Sequence, residues 1–347
     1  TLTSRDKSEN AVAMAGFPHH QLDGYLNKLI KQGFRVAVCE QVEVPKVAKG
    51  LVKREISQIV SPGTVTDSAL LEPTQCNYLA AVVCHSSRNN TNEFGLSWLD
   101  ISTGQFFLAQ VDRQTLADLL ARLQVSEILL DETDPDAIPS LGEGTRITTR
   151  PAWSFGGEHA LGLLTTTLGV AALDGFGIDD SDAEAIRAAG AILQYVKESH
   201  HNALAHIDSI EKYRSSVHVE IDQATWRSLE VSQTIRAGHQ QGSLFGVINR
   251  CVTPMGARQL GSWLAAPLRE KEKIRKRQDA VAEFVENKPL QTDVRDQLKT
   301  VFDLQRLIAR VSSGRSSPRE LLNIARTLAA LPQLKARLTA RRSELLQ

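Results

Sequence analysis

The sequence predicts a multi-domain protein, α/β in its first two blocks and all-helical in its third. Three observations lead there. At 347 residues the chain exceeds what one ordinary core organises, so two or three domains are expected. Its 40 basic and 40 acidic side chains cancel overall but not locally. Residues 1–66 carry 9 basic and 6 acidic groups, residues 67–206 carry 7 and 19, and residues 207–347 carry 24 and 15. At residue 207 the hydrophobic pattern also changes, from short alternating runs to a helical spacing of three and four.

In the first block, residues 1–13 are polar and read as loop. Leu22, Tyr25, Leu26, Leu29 and Ile30 recur at helical spacing after Pro18, and Gly33 ends the run as a left-handed cap. Strands are predicted at 35–42 and 54–60, joined by a loop bearing Lys46, Lys49 and Lys53. Ser61-Pro62-Gly63-Thr64 is a turn, and the acidic block starts right after it, which sets the first domain at 1–64. Strand, helix and strand make too little core for a complete domain. The chain opens without Met or a signal-peptide pattern, and it reads as an internal piece of a longer protein.

The second block, 65–206, opens with strands at 78–84, 94–100 and 105–111, the last two a hairpin through Ser102-Thr103-Gly104. A helix at 115–123, a strand at 127–130 and an irregular glycine-rich stretch follow. A helix then starts at Ser181, with Glu184 completing a capping box, and runs to His200. This pattern is an α/β layer on a mixed sheet.

The third block, 207–347, reads as a strand at 216–221 and then helices at 223–235, from Pro254 up to the stop at Pro267, and at 271–285, 290–301, 304–311 and 317–331. Leu331-Pro332 is expected to break the last of these, with a further helical run at 334–346. The helix after Thr253 has the clearest signals: a hydroxyl cap, Pro254 at the first position and a stop at Pro267. Met255, Ala257, Leu260, Trp263 and Leu264 form its apolar stripe, so it is expected to be buried. Gly256 and Gly261 each cost about 1 kcal/mol in a helix, and they are expected to mark the close approach of another backbone.

Catalytic patterns are mostly missing. The sequence has no GxxxxGK[ST], no GxGxxG opening a helix, no HExxH and no GxSxG. His218-Val219-Glu220 is half of a zinc-deaminase pattern without its PCxxC, and strand alternation explains it better. His19, His20, His200, His201 and His206 lack the i,i+4 spacing of helical metal ligands. Cys39, Cys76, Cys84 and Cys251 form no CxxC and read as buried thiols in a reducing compartment. One enzymatic reading remains. Asp100, Asp131 with Glu132, and Asp179, Asp180 and Asp182 stand near strand ends, where carboxylates hold two Mg²⁺ ions for phosphodiester hydrolysis. The competing reading is a solvated acidic rim, with Asp180 and Ser181 capping a helix. A block with 19 acidic and 7 basic groups would repel its own nucleic-acid substrate. The basic blocks suit polyanions better: Lys46, Lys49, Lys53 and Arg54 form a candidate phosphate-contacting edge. Arg275-Lys276-Arg277 reads as a solvated helix face. No apolar run reaches the roughly 18 residues of a membrane span, so no membrane partner is expected.

Three long phrases in order carry a resemblance. Residues 14–64, MAGFPHHQLDGYLNKLIKQGFRVAVCEQVEVP…KREISQIVSPGT, look like the second half of the mismatch-recognition domain of the MutS family. Residues 221–270, IDQATWRSLEV…GSLFGVINRCVTPMGARQLGSWLAAPLRE, are similar to the start of that family's core or lever domain. Residues 302–335, FDLQRLIARVSSGRSSPRELLNIARTLAALPQLK, continue the lever. The acidic block falls at the family's connector, so the resemblance implies a partial α/β mismatch-binding domain at 1–64, an RNase H-like connector without nuclease activity at 65–206, and a helical lever at 207–347. It further implies a DNA mismatch-repair parent that binds duplex DNA with mismatches or small loops. That parent would be a homodimeric, ATP-driven clamp using ATP and Mg²⁺, recruiting a MutL-type partner through the connector, and working in the cytoplasm at the nucleoid. The chain itself is expected to hold no cofactor and to hydrolyse nothing. In the family, an aromatic of a Phe-x-Glu motif wedges into a kinked duplex, because mispairs unstack and bend more cheaply. No Phe-x-Glu precedes Met14. Met14, Lys49 and Arg54 are the positions implied near the DNA path, and Gln58 stands where relatives often carry a basic residue.

Overall fold

The computed structural model describes residues 2–3, 14–43, 52–85, 93–134, 138, 145–199, 204–314 and 316–346. The chain divides into two units, Thr1–Pro62 and Gly63–Gln347. In the first, β1 (Leu2–Thr3) pairs antiparallel with β2 (Met14–Ala15), so the expected loop of residues 1–13 begins with a short strand. Helix α1 (Leu22–Lys31) ends as its glycine predicts. Gly33 takes φ +80°, its amide donates to the Ile30 carbonyl at 2.8 Å, and the Phe34 amide donates to Leu29 at 3.0 Å. Those two bonds satisfy carbonyls that the helix end leaves orphaned. Strands β3 (Val36–Gln41) and β4 (Arg54–Val60) pair antiparallel, with a register shift between Val38 and Cys39 that leaves Ser57 as the extra residue. Its hydroxyl donates to the Val38 carbonyl at 3.1 Å. Of the expected inward face of α1, Leu26 and Ile30 are buried, whereas Tyr25 and Leu29 are exposed.

The second unit is built on one six-stranded sheet. Its strands are β5 (Leu79–His85), β6 (Glu93–Asp100), β7 (Gln105–Asp112), β8 (Glu127–Asp131), β9 (Arg146–Arg150) and β10 (Glu211–Lys212), in the order β10-β7-β6-β5-β8-β9. The β5–β6–β7 meander is antiparallel, while β8, β9 and β10 join in parallel. Alternation along β5 sends Leu79, Ala81 and Val83 into one core with α3 (Gly157–Leu168) and α4 (Ala183–Ser199). Ala80 and Val82 go into the other core, with α2 (Arg113–Leu123). Both faces are covered, which is why these strands read as nearly continuous apolar runs.

The expected irregular stretch before α4 contains both β9 and α3. Threonines and flanking glycines hid α3 from its pattern. Thr165 and Thr167 turn their hydroxyls back onto the Leu161 and Leu163 carbonyls at 2.9 and 2.7 Å, which makes helix tolerable for both. The capping box before α4 lies two residues earlier than expected, on Asp179 and Asp182 rather than Ser181 and Glu184.

Helices α5 (Gln223–Ser228), α6 (Leu244–Ile248), α7 (Pro254–Ala265), α8 (Lys271–Glu286), α9 (Lys288–Leu298), α10 (Leu304–Ser312) and α11 (Pro318–Leu338) follow. The strand expected at 216–221 is a single turn of 3-10 helix, then one bridge from His218 to Leu268. The helix expected to reach residue 235 stops at Ser228. Glu230 turns to φ +47° and its carboxylate takes the Ile235 amide at 2.7 Å. The break expected at Pro332 does not occur, and α11 runs through it to Leu338. The carbonyl that Pro332 leaves unserved is that of Leu328, a half-exposed residue, so solvent lies within reach. Instead of a second helix at 334–346 there is only a 3-10 turn at Glu344–Leu346.

Helix α7 starts as predicted, with the Thr253 hydroxyl accepting the Gly256 amide at 3.1 Å. Its stripe is not buried as expected. Within α7 only Ala257 and Arg258 are buried, and Trp263 is 41% exposed with the Arg277 guanidinium 3.9 Å above its ring. Nor does another backbone approach its glycines. A Cβ at Gly256 would meet the helix's own cap, Thr253 Oγ1, at 3.0 Å, and one at Gly261 would make ordinary contact with Phe245 at 3.6 Å. The close approaches lie elsewhere, at Gly95 against the Glu184 backbone and at Gly190 against Ala160.

Candidate nucleic-acid interface

Strands β3 and β4 carry the described part of the candidate phosphate edge. Arg54 opens β4, faces Gln41 across the ladder and is exposed. Neighbouring Lys53 is spoken for: its ammonium lies 2.8 Å from Glu55, and both groups are open to solvent. Hydrogen bonding and charge from Glu55 raise the Lys53 pKa, and the same bond lowers that of Glu55. A phosphate would therefore compete with Glu55 for Lys53, whereas Arg54 forms no ion pair among the described residues. The described stems also carry Glu40 and Glu43, and the latter accepts the Lys53 amide at 3.1 Å. The basic surplus that predicted this edge thus sits on Lys46 and Lys49, which lie outside the described residues. Met14 is placed only by its backbone, paired with Thr3 in the β1–β2 ladder. Gln58 faces Val38 beside the bulge and is half-buried. The sequence reading missed an exposed aromatic pair in this unit. Phe17 and Tyr25 stack at 4.4 Å, and the Lys28 ammonium lies 5.3 Å from the Tyr25 ring. Tyr25 falls at a core-like spacing, so the periodicity concealed it.

The carboxylates of the nuclease reading do not converge. Asp100 is fully buried and saturated: it accepts the Asn77 amide at 3.1 Å, the Ser102 amide at 2.9 Å and the Ser102 hydroxyl at 2.6 Å. Asp131 closes its own turn onto Thr133 at 2.9 and 2.7 Å. The register pairs Leu79 with both Leu99 and Glu127, which puts Asp100 and Asp131 at opposite ends of the sheet. Asp179 and Asp182 are spent on capping, and Asp182 also binds Lys212 at 2.6 Å. Asp180 is exposed in that capping turn. Among the described residues no group of three or more His, Cys, Asp or Glu could hold a metal. Two histidines have structural partners: His218 stacks on Tyr213 at 5.2 Å, and His206 Nε2 meets the Ile101 carbonyl at 2.6 Å, while His200 and His201 lie outside the described residues. Burial lowers both of their pKa values. The thiols differ from the expectation too, since Cys39 and Cys251 are exposed and Cys76 and Cys84 half-buried.

The most elaborate polar construction lies inside the second unit, where α7 and α10 meet the chain leading into β5. The Arg258 guanidinium takes Asp303 in a fork at 2.6 and 2.8 Å, and also reaches Gln305 at 3.0 Å and the Pro73 carbonyl at 3.0 Å. Arg306 donates to the carbonyls of Glu72 and Gln75 at 3.1 and 2.7 Å. Burial lowers the Arg306 pKa, with the Arg258 charge adding to it. For Arg258, burial is outweighed by the bond and charge of Asp303, and its pKa rises. A cavity of about 440 Å³ adjoins Arg258, lined by Gln105, Met255, Gln305 and Thr327 among others. It brings no catalytic pair together.

Family profiles match nearly the whole chain in three consecutive pieces: MutS domain I over residues 1–69, MutS domain II over 77–208 and MutS domain III over 224–347. The chain belongs to the MutS family. Among its MutS relatives, the DNA mismatch repair protein MutS of Rhodopirellula baltica is 49% identical over 99% of this chain and 40% of its own length. That of Chlorobium phaeovibrioides is 38% identical over 96% of this chain and 39% of its own. That of Chlorobaculum parvum is 39% identical over 98% and 39%. The chain therefore spans about 40% of the length of these MutS proteins. No described helix is long and apolar enough to cross a membrane.

Proposed function

We propose that the chain provides the DNA-reading and connecting portions of a mismatch-repair protein that recognises mispaired bases or small loops in duplex DNA. One observation carries this: 49% identity to a protein named for DNA mismatch repair runs through 99% of the chain. In this reading residues 1–64 are the second half of a mismatch-recognition domain, 65–206 an RNase H-like connector and 207–347 part of the lever. The edge around Lys49 and Arg54, with Met14 nearby, follows the DNA backbone. The longer protein is a homodimeric, ATP-driven clamp that recruits a MutL-type partner through the connector and works in the cytoplasm at the nucleoid. ATP and Mg²⁺ belong to that longer protein. The residues present do not fit them: the sequence holds no phosphate loop and the described residues hold no metal cluster. No step of this chain's own runs through either, and the chain itself hydrolyses nothing.

The test is a duplex titration with and without one central mispair. Weak binding that does not distinguish the two duplexes and falls steeply between about 50 and 200 mM salt is expected, because phosphate contacts release counterions. Arg54→Gln should lower the salt slope by about 1 while leaving sequence preference unchanged. Absence of binding even at the lowest salt would make the chain a scaffold and overturn the reading.

A further inference from the structure

Residues 67–75 are an oddly built cover. Ser68, Ala69, Glu72, Pro73 and Gln75 are exposed, and of this segment only Leu71 is buried. Beneath it lie two arginines, Arg258 and Arg306, each only 4% exposed. They hold the segment by neutral carbonyls, at Glu72, Pro73 and Gln75. A third arginine, Arg310, reaches Asp67 at 2.9 Å from the same helix as Arg306. Of the two buried cations, Arg258 holds a forked carboxylate, Asp303, whereas the Arg306 guanidinium is held by carbonyls and its Nε has no hydrogen-bond partner among the described residues. Burying charge is costly unless it is fully paired. Lifting the segment would return two guanidiniums to water and give up only one buried apolar side chain. Low apolar burial combined with recoverable hydration marks the segments that open first.

We propose that residues 67–75 form a latch that opens and recloses as one piece on Arg258, Arg306 and Arg310, independently of the sheet that it borders. The latch ties α7 and α10 to the chain entering β5. Its state is a switch between a covered and an uncovered pair of guanidiniums. This inference does not depend on DNA binding.

A thiol already stands at the edge of the latch. Cys76 follows it directly, and burial, then the Asp100 charge, push its pKa to about 11, so the closed state reacts slowly with thiol reagents. Cys84, on the neighbouring strand β5, serves as the internal control. The experiment labels the full chain carrying Cys39→Ser and Cys251→Ser with a maleimide, reading Cys76 and Cys84 separately by mass spectrometry. Arg306→Met removes two charge-assisted bonds and should speed labelling of Cys76 at least about tenfold, with Cys84 unchanged. Asp67→Asn, a surface change that removes the charge facing Arg310 while its side-chain oxygen can still accept the Ala69 amide at 3.0 Å, should give about a threefold rise without moving the melting temperature. An unchanged Cys76 rate in either variant overturns the latch. So does a parallel rise at Cys84, which would show loosening of the sheet.

Discussion

A Cβ placed on Gly95 would lie inside the space of the Glu184 backbone, and nothing there is a flexible side chain that could step aside. Gly95→Ala should therefore destabilise the second unit by about 3 kcal/mol, seen as a lowered denaturation midpoint at unchanged slope. Gly261→Ala should do the reverse. Its Cβ would make ordinary contact with Phe245, and the helix gains roughly 0.5–1 kcal/mol; a lower midpoint in this variant would refute the packing described for α7. Both glycines cost their elements backbone entropy, and sequence alone cannot tell a glycine forced by a neighbour from one that is merely tolerated. Arg258 was illegible for a related reason. Arginine is seldom buried unless paired, and its partners Asp303 and Pro73 lie 45 and 185 residues away. Arg54, by contrast, was legible as an exposed cation at a strand start, because its setting is local.

The starts of α7 and α11, written in neighbouring capping residues, formed where the sequence placed them. Helix α11 has the fullest set of signals: Ser317 and Glu320 exchange bonds in a capping box, with Pro318 at the first position. Burial of Glu320 raises its pKa, but the Ser317 amide, the Ser317 hydroxyl and the Arg310 charge outweigh this and bring it below 4.5. A folded pKa below the unfolded one contributes stability above the unfolded value, and that contribution is lost as pH falls through the folded pKa. The first turn of α11 should therefore fray as pH drops below about 4.5, visible in its backbone carbon chemical shifts. In Glu320→Gln this acid-dependent fraying should vanish; if it persists, the box does not hold the turn. Of the elements that were missed, β9 is five residues long and α3 twelve. Helix α3 closes on Gly169 at φ +66°, and just past the early end of α5 the chain turns at Glu230 with φ +47°, turns that no hydrophobic period records.

At the scale of the chain, the two units are unequally equipped to stay folded. The second has two cores of 22 and 13 buried residues on either side of its sheet. Among its described residues the first buries Leu26, Ile30 and Val60 and leaves Phe17, Tyr25, Leu29, Phe34 and Ile56 exposed. The charge blocks place a boundary near residue 64 from sequence alone, because a change of sign in net charge needs no tertiary knowledge. The strength of each core was not readable, since it depends on which apolar residues find partners. With so few buried apolar side chains among its described residues, the first unit is the one expected to open first. Native-state hydrogen exchange under rising denaturant should thus show α1 and the β3–β4 pair opening at concentrations where β5, β6 and β8 remain fully protected. The slope for that opening should be small, since little surface is exposed with it. Loss of protection in both units at one concentration, with one large slope, would mean that the first unit draws its stability from more than the three apolar side chains buried among its described residues.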